Sequence, residues 1–181
     1  VRWWMQGTVG NVDPDFLIVR CPETTDDRQL NRLNPVIPRT LGPGWMNGSE
    51  MNLEEARVLA TAIYFIGGEI VLSDAIGKLN KKGLDMIQRV LPPLPASTRP
   101  LDLFAPDWQE HPILISRNKK EWLIAAFNLS DVHHYAEIEL DFIDKPIPGW
   151  DFWTDEKLVV DRQLQLNLQP RSVRAIRIPR P

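Results

Sequence analysis

The chain has 181 residues, of which 43% are hydrophobic and 25% charged, proportions typical of globular proteins that bury a core. Its 21 Lys and Arg against 24 Asp and Glu give a net charge of −3. This balance argues against nucleic acid or an anionic membrane surface as a partner bound through bulk charge. The single cysteine, Cys21, excludes an internal disulfide and a multi-cysteine zinc site. The longest apolar run, about residues 60–68, is too short to span a bilayer.

The sequence begins at Val1 with an alternating apolar pattern, and its first residues contain no charged segment followed by an apolar one. We expect the chain to be part of a longer protein. Its targeting signals would then lie outside these residues, so the sequence leaves the compartment open.

The first half of the chain predicts alternating strands and helices. The continuous apolar run Phe16–Val19 lies between prolines and predicts a strand buried on both faces, as in parallel sheets. Residues 21–50 are rich in Pro, Asn, Gly, Thr and Asp and predict a long loop. Long ordered loops are more often functional than not.

Two helices and a second strand follow this loop. Asn52 and Glu55 form a capping-box pattern before a helical apolar period, and Gly67 ends the predicted helix. Residues 69–74 predict a short buried strand that ends in polar groups. A second helix is predicted over 81–91, with Leu84, Ile87, Val90 and Leu91 on its apolar face, and two prolines stop it. This order of elements indicates βα units and a parallel sheet.

The character of the sequence changes near residue 95, after a proline-rich connector at 92–100. The following segments predict short strands: Glu121–Asn128, His134–Phe142, 163–168 and Val173–Ile178. Val173 is out of phase with Ile176 and Ile178, which indicates a bulge in the last strand. The series predicts an antiparallel β-sandwich with one solvent-exposed face per sheet.

Several segments, in this order, resemble the end of a glycoside hydrolase of the α-galactosidase (melibiase) type, families 36 and 27. They are Arg2–Gly7, Asp13–Arg20, Leu53–Arg57, Gly67–Gly68, Leu72–Asp74, Trp122–Asp131, Asp151–Thr154 and Pro170–Arg174. The resemblance implies an α/β plus all-β chain, in which residues 1–95 are the last βα units of a (β/α)₈ barrel. Residues 96–181 would be the C-terminal β-sandwich. It also implies that Asp13-Pro14-Asp15 ends the seventh barrel strand.

The chain departs from the family pattern in two places. Val12 stands where the family has Asn before Asp-Pro-Asp, with Asn11 one place earlier. The family's nucleophilic and acid/base carboxylates lie on earlier barrel strands, and neither motif occurs here. A retaining glycosidase needs two carboxyl groups about 5 Å apart, whereas Asp13 and Asp15 would point to opposite faces of an extended chain. We therefore predict no catalytic residue in this chain and no activity of the chain alone.

Three residues are predicted to bind substrate. The resemblance gives Asp13 a supporting role near the sugar, with a turn motif as the alternative. Asp74 closes an apolar strand, where barrel sites gather, and it could accept a hydrogen bond from a sugar hydroxyl. A helix cap or a solvated carboxylate is its alternative. Trp45 lies in a Gly-rich loop, where a tryptophan has less core to enter and is free to stack on a sugar.

No metal site and no cofactor is predicted. His111, His133 and His134 have no matching carboxylate spacing and are interpreted as surface residues, and Cys21 as a small buried residue. Asn47-Gly48-Ser49 and Asn128-Leu129-Ser130 match the glycosylation acceptor pattern.

The function predicted from the resemblance is that of a C-terminal segment of a retaining hydrolase for α-galactoside-like sugars, with its catalytic aspartates upstream. Its partners would be a carbohydrate substrate and the missing N-terminal part of the barrel, or a second copy, because a truncated parallel sheet has open edges. The alternative is a non-catalytic carbohydrate-binding or interaction sandwich, which exposed tryptophans on one face would favour. A degenerate family member is a third reading, and the sugar and its linkage stay open.

Overall fold

The computed structural model describes residues 13–28, 30–31, 33, 49, 51–94 and 98–180. The chain divides into two compact units, Val1–Pro93 and Leu94–Pro181. No helix within those described ranges combines the length and apolarity needed to cross a membrane.

The first unit contains a parallel strand pair connected through a helix. Its elements are β1 (Phe16–Leu17), a 3₁₀ turn (Pro22–Thr24), α1 (Leu53–Ile66), β2 (Val71–Leu72), a 3₁₀ turn (Ile76–Lys78) and α2 (Lys81–Arg89). Phe16 pairs with Val71 and Leu17 with Leu72, in parallel register. The predicted order of strands and helices and the parallel pairing are confirmed, although each strand has only two residues. The predicted burial of both strands is wrong, because Phe16 is 52% exposed and Val71 and Leu72 are only partly buried.

Helix α1 begins and ends where the sequence predicts. The Glu55 amide donates to Asn52 Oδ1 and the Asn52 amide to Glu55 Oε2, both at 2.9 Å, which is a complete capping box. Gly67, at φ 66°, ends the helix in a backbone region that favours glycine. The buried face contains Ala56, Ala60, Thr61, Ile63, Phe65 and Ile66.

The buried face of α2 differs from the predicted one. Met86, Ile87 and Val90 are buried, whereas Leu84 is 36% and Leu91 41% exposed. The helix packs against the 3₁₀ turn at Pro22–Thr24, and this contact selects the face that contains Gly83 and Ile87. The prediction is therefore wrong for Leu84 and Leu91, because a neighbouring loop, which helical periodicity does not reveal, sets which face is covered.

We expect Gly83→Ala to destabilise the first unit by about 1–3 kcal/mol, although Ala is the better helix former. A Cβ at Gly83 would lie 2.7 Å from the backbone oxygen of Thr24, which cannot move without displacing the 3₁₀ turn. Urea unfolding of both variants measures the effect. The matched control is Gly77→Ala, whose Cβ meets nothing within 4 Å. An equal effect of the two substitutions would show that packing against Thr24 is unimportant.

The second unit is an antiparallel sandwich of eight strands. They are β3 (Arg99–Pro100), β4 (Ile113–Arg117), β5 (Glu121–Asn128), β6 (His134–Glu139), β7 (Ile147–Asp151), β8 (Lys157–Val160), β9 (Gln163–Leu168) and β10 (Ser172–Pro179). Six of them form one sheet in the order β3-β4-β5-β10-β7-β8, and β6 pairs with β9 in the other. A shared core of aliphatic side chains from both sheets, Ile124, Ile138, Leu166 and Ile176 among them, fills the space between.

The smaller sheet has one solvent-exposed face, as predicted. Along β6 and β9 buried residues such as Ile138 and Leu166 alternate with exposed ones such as Glu137 and Gln165. The larger sheet does not follow this prediction at its centre. Leu123, Ala125 and Ala175 are fully buried on its other face.

The bulge predicted in β10 is absent. Pairing with β5 runs without interruption from Ser172–Asn128 to Pro179–Glu121. Val173 and Ala175 are buried on one face of the strand, and Ile176 and Ile178 on the other. The apparent change of phase therefore results from burial of both faces of a central strand.

Candidate functional site at the carboxyl ends of the parallel strands

A buried ion pair lies at the carboxyl ends of β1 and β2. Asp74 Oδ1 accepts a hydrogen bond from Arg20 Nη1 at 3.0 Å, and its Oδ2 accepts one from the Val19 amide at 2.6 Å. The side chains are 1% exposed for Asp74 and 7% for Arg20. Asp74 follows β2 while Val19 and Arg20 follow β1, so the carboxylate connects the two strands where they end.

The loops that follow the two strands are joined by further hydrogen bonds. Thr24 Oγ1 donates to the Val19 carbonyl and accepts from the Cys21 amide, both at 2.8 Å. The Asn80 amide donates to the Thr24 carbonyl at 2.9 Å. Lys78 pairs with Asp27 across the same two loops at 2.9 Å. This edge of the sheet is thus a connected polar network rather than two independent loops.

Asp13 lies at the opposite end of the strand pair. It precedes β1 and is exposed, and its Oδ1 accepts a hydrogen bond from the Asp15 amide at 2.9 Å. Asp15 has φ 83°, so the Asp-Pro-Asp segment turns before the strand begins. The expectation that Asp13 and Asp74 lie on the same rim of this strand pair is wrong. In a parallel pair, a residue before one strand and a residue after the other lie at different edges. A strand that the motif itself ends would lie in residues 1–12, outside the described residues.

The local environment of Asp74 also differs from both alternatives considered for it. The carboxylate neither caps the following helical turn nor lies in solvent, because Arg20 and the Val19 amide engage it. The remaining predicted residue, Trp45, lies outside the described residues, as do Trp3, Trp4 and Val12. Substrate binding by Asp13, Asp74 and Trp45 stays a prediction.

Cys21 is next to the ion pair and is buried, as predicted. Burial raises the pKa of the Cys21 thiol, and the hydrogen bond with Thr24 only partly opposes this shift. The group is therefore a thiol at neutral pH and a poor nucleophile. The chemistry that the described part of this edge can perform is positional. It holds two loops at fixed places around any ligand bound at the carboxyl ends.

Two histidines of the second unit are not simple surface residues. The rings of His111 and His134 stack with centroids 3.7 Å apart and planes 14° apart. Burial and the neighbouring His111 lower the pKa of His134. The surface interpretation holds for the exposed His133 alone. The sequence spacing of 23 residues between the two rings gives no sign of their contact, which the sandwich topology creates.

The tryptophans of the second unit do not form an exposed platform. Trp153 is 8% exposed, and Trp108, Trp122 and Trp150 are half-buried. Trp122 packs on Phe142 at 4.5 Å, and the Arg180 guanidinium lies 5.3 Å from its ring centroid. A groove of about 290 Å³ lies beside this cluster. The ring of Trp122 is therefore engaged by its neighbours in the same chain.

No protein-family model matches the sequence, and no curated protein matches it. The fold is similar to solved structures of family 27 enzymes. One is a β-L-arabinopyranosidase from Geobacillus stearothermophilus, with a TM-score of 0.67 and 18% identity, covering 86% of this chain and 37% of that one. Another is α-galactosidase I from Mortierella vinacea, with a TM-score of 0.59 and 14% identity, covering 74% and 40%. The chain thus spans well under half the length of these enzymes, and its fold is similar to that of their C-terminal part.

Proposed function

We propose that this chain is the C-terminal part of a retaining glycoside hydrolase that acts on α-galactoside-like sugars. The observation that carries the proposal is the order in which two kinds of fold follow each other along the chain. A parallel strand pair connected through a helix comes first, and an antiparallel sandwich follows it. This is the order expected where a (β/α)₈ barrel ends and a C-terminal sandwich begins.

The strand pair itself supports an incomplete barrel. Parallel sheets are found with both faces covered and with several strands, whereas β1 and β2 pair only with each other among the described residues. Phe16 in β1 is 52% exposed, and Ile76 after β2 is 47% exposed. Apolar side chains at these positions are suited to further barrel strands and helices.

The extent of the structural similarity supports the same arrangement. The second unit contains about half of the residues of the chain. The similarity to the arabinopyranosidase covers 86% of the whole chain, so it must include residues of the first unit. The names of both enzymes described above state that they hydrolyse glycosides. Their two sugars are closely related, because β-L-arabinopyranose has the ring configuration of α-D-galactopyranose without its hydroxymethyl group.

In this proposal the residues of the chain position the substrate site rather than perform the reaction. Barrel active sites lie at the carboxyl ends of the strands, which is the edge where Arg20 and Asp74 join the loops. Asp74 would act through the loops that it holds, and Trp45 is the residue to test for direct contact with sugar. Asp13 precedes β1, at the other edge of this pair, and its supporting role near the sugar stays a prediction. The two catalytic carboxylates would be supplied by residues upstream.

The test is hydrolysis of 4-nitrophenyl α-D-galactopyranoside and of the corresponding β-L-arabinopyranoside. We expect no turnover by the 181-residue chain. We expect the longer polypeptide, of which this proposal makes the chain the C-terminal part, to hydrolyse them. NMR should show that the anomeric configuration is retained. Hydrolysis by the 181 residues alone would contradict the proposal. So would inactivity of the longer polypeptide on both glycosides.

The alternative, a carbohydrate-binding sandwich without hydrolysis, has less support. Exposed tryptophans on one face would favour it, and the tryptophans in the described part of the second unit are buried or half-buried. Calorimetric titration of the chain with galactose and melibiose tests it directly. We expect no measurable heat of binding.

A further inference from the structure

A cluster of three potential metal ligands lies at one end of the sandwich. Asp107 and His111 belong to a helical turn that precedes β4, in which the His111 amide donates to the Asp107 carbonyl at 2.9 Å. His134 is the first residue of β6, in the other sheet. The three side chains therefore come from two different segments, which the fold places side by side.

The donor atoms of these side chains lie close together. Asp107 Oδ2 is 3.4 Å from His111 Nδ1, and one ligand atom from each of the three residues lies within 4.8 Å of the others. The imidazole rings of His111 and His134 are stacked at 3.7 Å. Two neutral imidazoles and one carboxylate are a donor set that suits zinc and similar divalent ions, whereas calcium and magnesium prefer oxygen ligands alone.

The hydrogen bonding of His111 supplies an independent observation. Its side chain is only 12% exposed, and both ring nitrogens are buried without a hydrogen-bond partner. The carboxylate of Asp107 is near Nδ1 but not in hydrogen-bonding geometry. Buried polar atoms are nearly always hydrogen-bonded, so two ring nitrogens without a hydrogen bond require an explanation. A metal ion bound to one of them supplies a partner.

We propose that Asp107, His111 and His134 form a binding site for a divalent transition metal ion of the zinc class. Bond lengths of about 2.0–2.2 Å place tetrahedral ligand atoms about 3.4 Å apart. The present spread of up to 4.8 Å therefore requires the stacked rings to rotate toward the ion. Three protein ligands leave a fourth position for water. The ion would connect the turn before β4 to the first residue of β6, and so link the two sheets.

The test uses the tag-free 181-residue chain and Zn²⁺ alone, titrated by calorimetry in a buffer that does not bind metal. We expect one ion per chain and affinity that falls about 10-fold or more in His111→Ala and His134→Ala. The matched control is His133→Ala, because His133 is exposed and adjacent to a proposed ligand. Its affinity should equal that of the original chain. Equal loss in His133→Ala and His134→Ala, or no binding at all, would overturn the proposal.

A second measurement does not depend on the folding of the variants. In the original chain, Zn²⁺ should shift the ring-proton NMR signals of His111 and His134, because rotation ends their stacking, while those of His133 stay in place. Co²⁺ should give the intense visible absorption of a tetrahedral site. Shifts confined to His133, or absorption typical of hydrated Co²⁺, would contradict the site. Neither readout involves glycoside hydrolysis, so this proposal and the proposed function can fail separately.

Discussion

Asp74→Ala is expected to lower the free energy of unfolding of the first unit by about 3–5 kcal/mol. The substitution leaves the Arg20 guanidinium buried without its counter-charge and removes the acceptor of the Val19 amide. Removing one partner of a buried pair costs more than the pair contributes, because the remaining charge is not solvated. The double variant Arg20→Met/Asp74→Leu should recover much of the loss, because no buried charge is left.

Urea unfolding monitored by circular dichroism measures this effect, and the reactivity of the Cys21 thiol reports opening of the same region. The thiol is buried beside Arg20, so it reacts only when the unit opens. The matched control is Asp85→Ala, whose carboxylate is half exposed and pairs with a lysine that is 92% exposed. That substitution should cost no more than about 0.5 kcal/mol. A similar small cost for Asp74→Ala would show that the ion pair does not hold the two strands together.

Asn128→Ala is expected to destabilise the second unit by about 2–4 kcal/mol. Asn128 is fully buried, and its amide nitrogen donates to the carbonyls of Val132, Leu168 and Gln169 at 2.7, 3.3 and 2.9 Å. Its Oδ1 accepts from the amide and the hydroxyl of Ser130. Alanine removes the donor to the Leu168 and Gln169 carbonyls and the acceptor of the Ser130 amide, whereas the Val132 carbonyl still accepts from Ser130 Oγ at 3.2 Å. The side chain joins the turn after β5 to the end of β9.

Thermal and urea unfolding compare this variant with Asn167→Ala, in which an exposed asparagine of β9 is removed. The control should stay within about 0.5 kcal/mol of the original chain. Equal stability of the two variants would mean that the hydrogen bonds of Asn128 are replaced by water.

The same geometry argues against a glycan at Asn128, although the residue matches the glycosylation acceptor pattern. Its side-chain amide is buried and donates to three carbonyls, so it has no room for a glycan.

Local signals in the sequence predicted the elements of the first unit well. The caps of α1, the two apolar runs and their order all depend on residues that are near one another in the chain, and the structure contains them. The position of Asp13 was not predictable in this way. The left-handed conformation of Asp15 turns the chain before β1, and no periodicity distinguishes a motif that precedes a strand from one that ends it.

The contacts between distant polar residues could not be predicted from the sequence. Asp74 pairs with Arg20, 54 residues away, and His134 stacks on His111 across two sheets. Such contacts depend on how distant segments are brought together, which local pattern does not encode. The phase of β10 shows the same effect. Alternation of polar and apolar residues predicts a strand with one buried face. β10 is a central strand with buried residues on both faces, so its sequence does not alternate in this way.

The position of β10 has a consequence for how the sandwich is assembled during synthesis. This strand is the last of the ten to be translated, yet it lies between β5 and β7 and is the only described connection between the two halves of the larger sheet. Until it emerges from the ribosome, the β3-β4-β5 and β7-β8 ribbons each keep an unpaired inner edge. Such edges are open to wrong pairing. The interval before residues 172–179 are released is therefore when a nascent chain is most in need of chaperone protection.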